Sequence, residues 1–203
     1  FIHGQLLEKI NMLDSAQRVY NSILDLGRKI PRLFWIHSKL KTLKIQTTIS
    51  EINPIRITRK LKRNYENFPY VHLIDQFEGR YYIDKGLDSL GILSYNKSLE
   101  SKSADIITRK SNYRELSDYF LKKDVFIKSG AYLDSLINLM DKESFIKKMT
   151  ERERRGLDRI INLETIINNN DSILSIVSMN ENEKIKFFNR YIDKTMKIDS
   201  LKQ

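Results

Sequence analysis

The stretch YVHLIDQFEGRYYIDKG, Tyr70 to Gly86, constrains the fold more than any other. Val71 and Leu73 alternate with Tyr70, His72 and Ile74, and Tyr81 and Ile83 alternate with Arg80, Tyr82 and Asp84. A period of two is the signature of a strand, whose successive side chains point to opposite faces. Gln76 to Gly79 supplies a short connection, and Gly79 can adopt positive φ. The pattern predicts a β-hairpin over 70–84.

The flanking segments extend this reading. Leu6, Ile10, Leu13, Tyr20 and Leu24 follow helical spacing, so residues 5–26 read as one helix, which Gly27 stops. LKIQTTI (43–49) is β-branched and alternating and reads as a strand. Asn53-Pro54 is a turn signal. In IRITRKLKRNYENF, Ile57, Leu61, Tyr65 and Phe68 share one face of a helix over 56–68, and Arg56, Arg59, Lys60 and Arg63 share another. Residues 87–95 read as a short helix and SADIIT (103–108) as a strand.

From Asn112 the period becomes helical. One helix covers 112–123, and another follows Ser129 with Leu133, Leu136, Ile137 and Met140 inward. Thr150 and Glu153 have capping-box spacing, which starts a long helix carrying Leu157, Ile160, Ile161 and Ile167 and ended by Asn168 to Asp171. A last helix near 181–197 presents Ile185, Phe188, Ile192 and Met196 on one side. The predicted fold class is therefore α+β. An N-terminal helix (1–27) precedes a small basic domain (28–110) of order strand-helix-hairpin-helix-strand, and a helical region (111–203) follows. Within that region Tyr113 to Met140 reads as a helix-turn-helix with its turn near Lys128-Ser129-Gly130. Its second helix, 131–140, offers Asn138 as the main base-reading side chain.

Charge is unevenly placed. The chain carries 36 Lys and Arg against 26 Asp and Glu, a net +10. Eleven of the basic residues lie between Arg28 and Arg63 with one acid, Glu51, so this block holds the whole excess and the remainder is balanced. Such a block makes a local field that attracts polyanions.

The chemistry that is missing narrows the function. There is no Cys, which rules out disulfides, thiolate–zinc sites and thiol nucleophiles. The three histidines, His3, His37 and His72, have no metal-ligand or catalytic spacing, and no Walker loop, G-x-S-x-G or H-E-x-x-H motif occurs. No apolar run approaches the roughly 20 residues of a membrane span. Asp75, Glu78 and Asp84 crowd the expected hairpin and together could hold Mg²⁺. Gly86, between an expected strand and a helix start, could aim backbone N–H groups at an anion, but its simpler use is a tight connection.

Two resemblances bear on these segments. Ile52-Asn53-Pro54 and Glu78-Gly79-Arg80-Tyr81-Tyr82-Ile83, in the order strand, turn, helix, hairpin, helix, strand over 43–110, resemble the N-terminal domain of the ParB-like family, shared with sulfiredoxin. That resemblance implies a DNA-binding helical region downstream, at about 112–168. It also implies a phosphate site after the glycine, where the family places arginines and this chain has Leu87, Asp88 and Ser89. The nucleotide site is accordingly read as degenerate. LIDQFEG also resembles the helix of LAGLIDADG homing endonucleases. That resemblance implies Mg²⁺-dependent cleavage or RNA maturase activity through Asp75 or Glu78.

The sequence-level expectation is a nucleic-acid-binding protein of ParB-like type, with DNA as the expected partner and RNA as the alternative. Arg56, Arg59, Lys60, Lys62 and Arg63 are the expected phosphate contacts, and Lys39, Lys41 and Lys44 add to the field. No catalytic residue and no cofactor are assigned, Mg²⁺ entering only with the endonuclease alternative. An intracellular location, in cytoplasm or nucleoid, and a homodimer complete the expectation. The third alternative is a structural protein that uses the basic block on an acidic partner.

Overall fold

The computed structural model describes residues 1–49 and 52–200, with side chains through Lys197. Every regular element among them is helical: α1 (Ile2–Lys9), α2 (Leu13–Asp25), α3 (Arg32–Ile49), α4 (Ile55–Arg63), α5 (Val71–Asp84), α6 (Asp88–Glu100), α7 (Ile106–Lys122), α8 (Phe126–Asn138), α9 (Phe145–Gly156), α10 (Asp158–Val177) and α11 (Glu181–Ser200). Short 3-10 turns cover Gly27–Lys29 and Tyr65–Tyr70. The α+β expectation is therefore wrong, and each of its three strand assignments fails for a physical reason.

The expected hairpin is α5, the central helix. His72 to Gly79 are buried without interruption. A helix covered on every side has no wet face, so the 3.6-residue period that marks an amphipathic helix disappears from its sequence. Gly79 is not a turn residue. A Cβ there would stand 2.8 Å from the Tyr95 ring, and one at Gly91 would stand 2.5 Å from Ile83 and 3.1 Å from the Gly79 carbonyl. The two glycines let α5 and α6 approach closely, which no larger residue permits. Gly86, with φ +73°, ends α5. Its N–H donates to the Ile83 carbonyl and the Leu87 N–H to the Tyr82 carbonyl, the paired bonds of a Schellman cap.

The expected strand 43–49 is the last part of α3. Its alternation comes from burial on two sides. Leu43 joins Ile36, Leu40, Leu61, Leu73, Ile74 and Phe77 in the main core, whereas Ile45 turns the other way to join Ala16 and Tyr20 of α2. Thr47 and Thr48 return their hydroxyls to the Lys44 carbonyl, a bond open to β-branched hydroxyl residues inside a helix. In the expected strand 103–108, Asp105 caps α7. Its carboxylate accepts the Thr108 N–H at 2.6 Å, and Ile106 and Ile107 occupy the exposed first turn.

Other boundaries also move. The expected single helix over 5–26 breaks at Asn11, whose φ is +60°, into α1 and α2; Gly27 does stop α2, at φ +55°. The basic helix ends at Arg63 rather than Phe68, and the Asn64 side chain starts a new turn by accepting the Glu66 N–H. Thr150 lies inside α9, with its hydroxyl on the Ile146 carbonyl, so it caps nothing. Asn168 to Asp171 lie within α10 rather than ending it. The boundary expected between 110 and 111 falls inside α7.

Three apolar clusters organise the chain. The main one joins α3, α4 and α5; a second joins α2 to α3 around Tyr20; a third joins α6 and α7 around Tyr95, Leu116 and Phe120. The α5–α6 and α7–α8 pairs have the most extensive helix contacts. Ser117 and Ser129 lock α7 to α8, each hydroxyl donating to the other's backbone carbonyl at 3.1 and 3.0 Å.

Candidate nucleic-acid interface

The site begins with the nine-residue helix IRITRKLKR. Pro54 precedes its first turn, and the Asn53 side chain accepts the Ile55 N–H at 3.0 Å. Thr58 and Leu61 are buried and Ile57 packs on the main core, which fixes which face turns outward. At about 100° per residue, Arg59, Arg63, Arg56 and Lys60 then fall within a ~100° arc on the opposite side. All four are exposed, and none enters an ion pair among the described residues. Lys60, Lys62 and Arg63 sit in the last turn, where cations favour the helix dipole.

Lys62 belongs to the other face. Its ammonium bonds Asp75 and Glu78 of α5, each at 2.5 Å. Burial alone would lower the Lys62 pKa, but its hydrogen bonds to the two carboxylates outweigh this and raise it. Burial raises the Asp75 pKa despite the opposing pull of Lys62. Lys62 therefore clamps α4 to α5 and sets the orientation of the outward arc.

The remaining expected contacts lie apart. Lys41 bonds Glu8 of α1 at 2.7 Å. Lys44 and Lys41 face a cleft of about 710 Å³ that α3, α5 and α7 enclose. Lys39, two residues from Lys41, points to nearly the opposite side of α3. Arg28 and Arg32 both reach Glu66, and Arg32 also stacks on Trp35 at 4.0 Å. Glu8, Glu66, Asp75 and Glu78 thus neutralise part of the basic block, a cancellation that counting charges within the block cannot reveal. Glu51, the block's own acid, lies outside the described residues.

The three carboxylates of the expected hairpin, Asp75, Glu78 and Asp84, do not converge on a Mg²⁺ site. Asp75 and Glu78 hold Lys62, and Asp84 is exposed at the far end of α5. Among the described residues no three His, Asp or Glu side chains form a metal-ligating group. Residues 71–84 are helical, as the endonuclease resemblance requires, but the described residues contain no strand to build that family's sheet. The strand pair that carried the ParB-like resemblance is equally helical. In the expected helix-turn-helix the turn falls at 123–125, with Asp124 at φ +56°, and Ser129 and Gly130 are buried inside α8. Helices α7, α9 and α10 cover α8, which leaves it unlike a recognition helix that must enter a groove.

Sequence reasoning missed a polar network at the cleft. Arg80, Tyr95 and Ser111 all donate to the Glu115 carboxylate, Tyr95 and Ser111 at 2.6 Å each. Burial would raise the Glu115 pKa, but Arg80 foremost, with Ser111 and Tyr95, holds it below the ordinary carboxylate range. These residues come from α5, α6 and α7, so no local spacing announces them. His37 borders the same cleft and His72 is buried nearby; burial lowers the pKa of both, which keeps them neutral at neutral pH. No helix among the described residues is long and apolar enough to cross a membrane. No protein-family model matches the chain, and no curated protein matches its sequence.

Proposed function

We propose that this chain binds nucleic acid, with duplex DNA as the first candidate, through phosphate contacts from the outward arc of α4. One observation carries the reading: Arg56, Arg59, Lys60 and Arg63 are exposed, enter no ion pair among the described residues, and are set on a helix that Thr58, Leu61 and Lys62 fix to the core. A rigid row of unneutralised cations releases counterions when it meets a polyphosphate, and side chains without carboxylate partners lose no ion pair on binding. The arc carries no planar amide side chain suited to base edges, so it supports affinity more than sequence choice. A nucleic-acid partner implies an intracellular setting.

The test is binding of duplex DNA, single-stranded DNA and RNA of matched length, titrated against salt. Four phosphate contacts give a log–log salt slope of about −3.6 on duplex DNA. Replacing Arg59, Lys60 and Arg63 by Glu should abolish binding while keeping the helical circular dichroism signal, with the melting temperature lowered only by the last-turn dipole cost of about 0.3–1 kcal/mol at each of Lys60 and Arg63. Unchanged affinity in that variant removes α4 as the interface. Loss of all nucleic-acid binding at physiological salt in the wild type, with retention of an acidic protein partner, removes the proposal as a whole.

A further inference from the structure

Among the described residues, the last two helices leave a large apolar surface without a partner. No residue of α10 is buried. In α11 every described residue is exposed except Lys184 and Phe187, which are half-buried. The N-terminal half of α10 docks through Leu157, Ile161 and Glu164; Ile161 lies beside Gly130, and the Glu164 carboxylate accepts the Ile127 N–H at 2.9 Å. A second side of α10, turned roughly 120° from the docked one, carries Ile160, Leu163, Ile167, Leu174 and Val177, 40–67% exposed, with Ile166 and Ile173 widening the stripe. With Asn170 the spacing runs 3, 4, 3, 4, 3, the register of a helix that packs lengthwise on another. Helix α11 repeats the pattern with Ile185, Phe188 and Ile192, flanked by Tyr191 and Met196.

The area is too large for an incidental patch. Twelve such side chains at roughly half exposure amount to on the order of 1,000 Å², above the roughly 800 Å² per partner of a standard interface. Charge selects the pairing. Helix α10 contains Asp158, Arg159, Glu164 and Asp171, a net −2, whereas α11 (Glu181–Ser200) contains five cations and four acids, a net +1. Like helices repel and unlike helices attract.

We infer that the chain forms a twofold homodimer in which each copy lays α11 along the partner's α10. This isologous arrangement covers both stripes at once and closes on itself. Pairing α10 with α10 would leave the α11 stripe wet and set like charges together.

Because the chain has no cysteine, single substitutions report contacts without background. Sedimentation of the full chain across the micromolar range should give twice the mass of one chain. I167E/L174E should give one mass with an unchanged helical circular dichroism signal, because both sites are exposed in the single chain. Chains bearing Cys at 163, 167 or 174 should then be mixed, in pairs, with differently tagged chains bearing Cys at 188 or 192. Oxidation should join unlike chains in at least one pair. A wild type that sediments as one chain overturns the dimer. Cross-links confined to two copies of the α10-substituted chain, or a double variant that keeps the wild-type mass, overturn the pairing.

Discussion

Lys62 shows how one residue can leave a predicted function and take up another. The basic spacing of α4 places it among phosphate contacts, yet the helix phase turns it inward onto Asp75 and Glu78. Nothing local distinguishes it from Lys60, because its partners stand on another helix. Replacing it by Met leaves two buried carboxylates without their cation and should cost roughly 3–5 kcal/mol at neutral pH. The penalty depends on pH. Burial already raises the Asp75 pKa with Lys62 present, and removing the ammonium raises it further. The native variant then binds protons that the unfolded chain, with ordinary carboxylates near about 4, does not bind above that value. The K62M deficit relative to wild type should therefore shrink as pH falls from 7 toward 5. Urea melts of both proteins at the two pH values measure it, and a pH-independent deficit would contradict the clamp.

At the scale of elements, the helices legible in the sequence are those with one wet side. Helix α4 shows its apolar and basic faces plainly, and α11 begins where its periodicity does, with Asn180 and Glu183 exchanging backbone N–H bonds as its cap. The segments read as strands belong to helices buried from two or more directions: α3 lies between α2 and α5, and α5 is enclosed. Period-two alternation arises there because opposite sides of one helix are both apolar. Of the candidate site, the outward arc was legible because it follows from phase within one helix. The Glu115 network and the carboxylates facing Lys62 were not, because each needs several helices in place. Gly79 and Gly91 permit a test of the α5–α6 crossing that shapes this core. Gly91→Ala gains about 1 kcal/mol of helix propensity but forces a methyl to 2.5 Å from Ile83 and 3.1 Å from the Gly79 carbonyl. Overpacking costs about 1–3 kcal/mol, so the net change should be a loss. Gly156→Ala, at the end of α9 with nothing within 4 Å of its Cβ position, should be neutral or stabilising. Thermal melts of the two variants decide it, and a stabilised Gly91→Ala would mean the helices are not held this closely.

For the whole molecule, burial falls along the chain from a dense centre to an open end. Helix α5 touches α4, α6, α7 and α3, whereas α10 has no buried residue and α11 presents almost every described side chain to water. A 20-residue helix with so little tertiary support is marginal by propensity alone, so the stability of α10 and α11 must come from whatever covers their stripes. If that cover is a second copy, their opening free energy contains a concentration term that α5 lacks, because association stabilises only what it buries. Amide exchange should separate the two regimes. Protection across α5 should match global unfolding and stay constant with protein concentration. Protection across α10 and α11 should rise with concentration, and in I167E/L174E it should fall to a low, concentration-independent level. Because Arg56, Arg59, Lys60 and Arg63 lie on the well-packed α4, their binding should survive in that variant with the same intrinsic affinity per site. A duplex long enough for two α4 arcs should bind the wild type more tightly than the variant through effective concentration alone. Equal protection of α10 and α11 at every concentration would place their cover within a single chain, and the gain on long duplexes would then vanish as well.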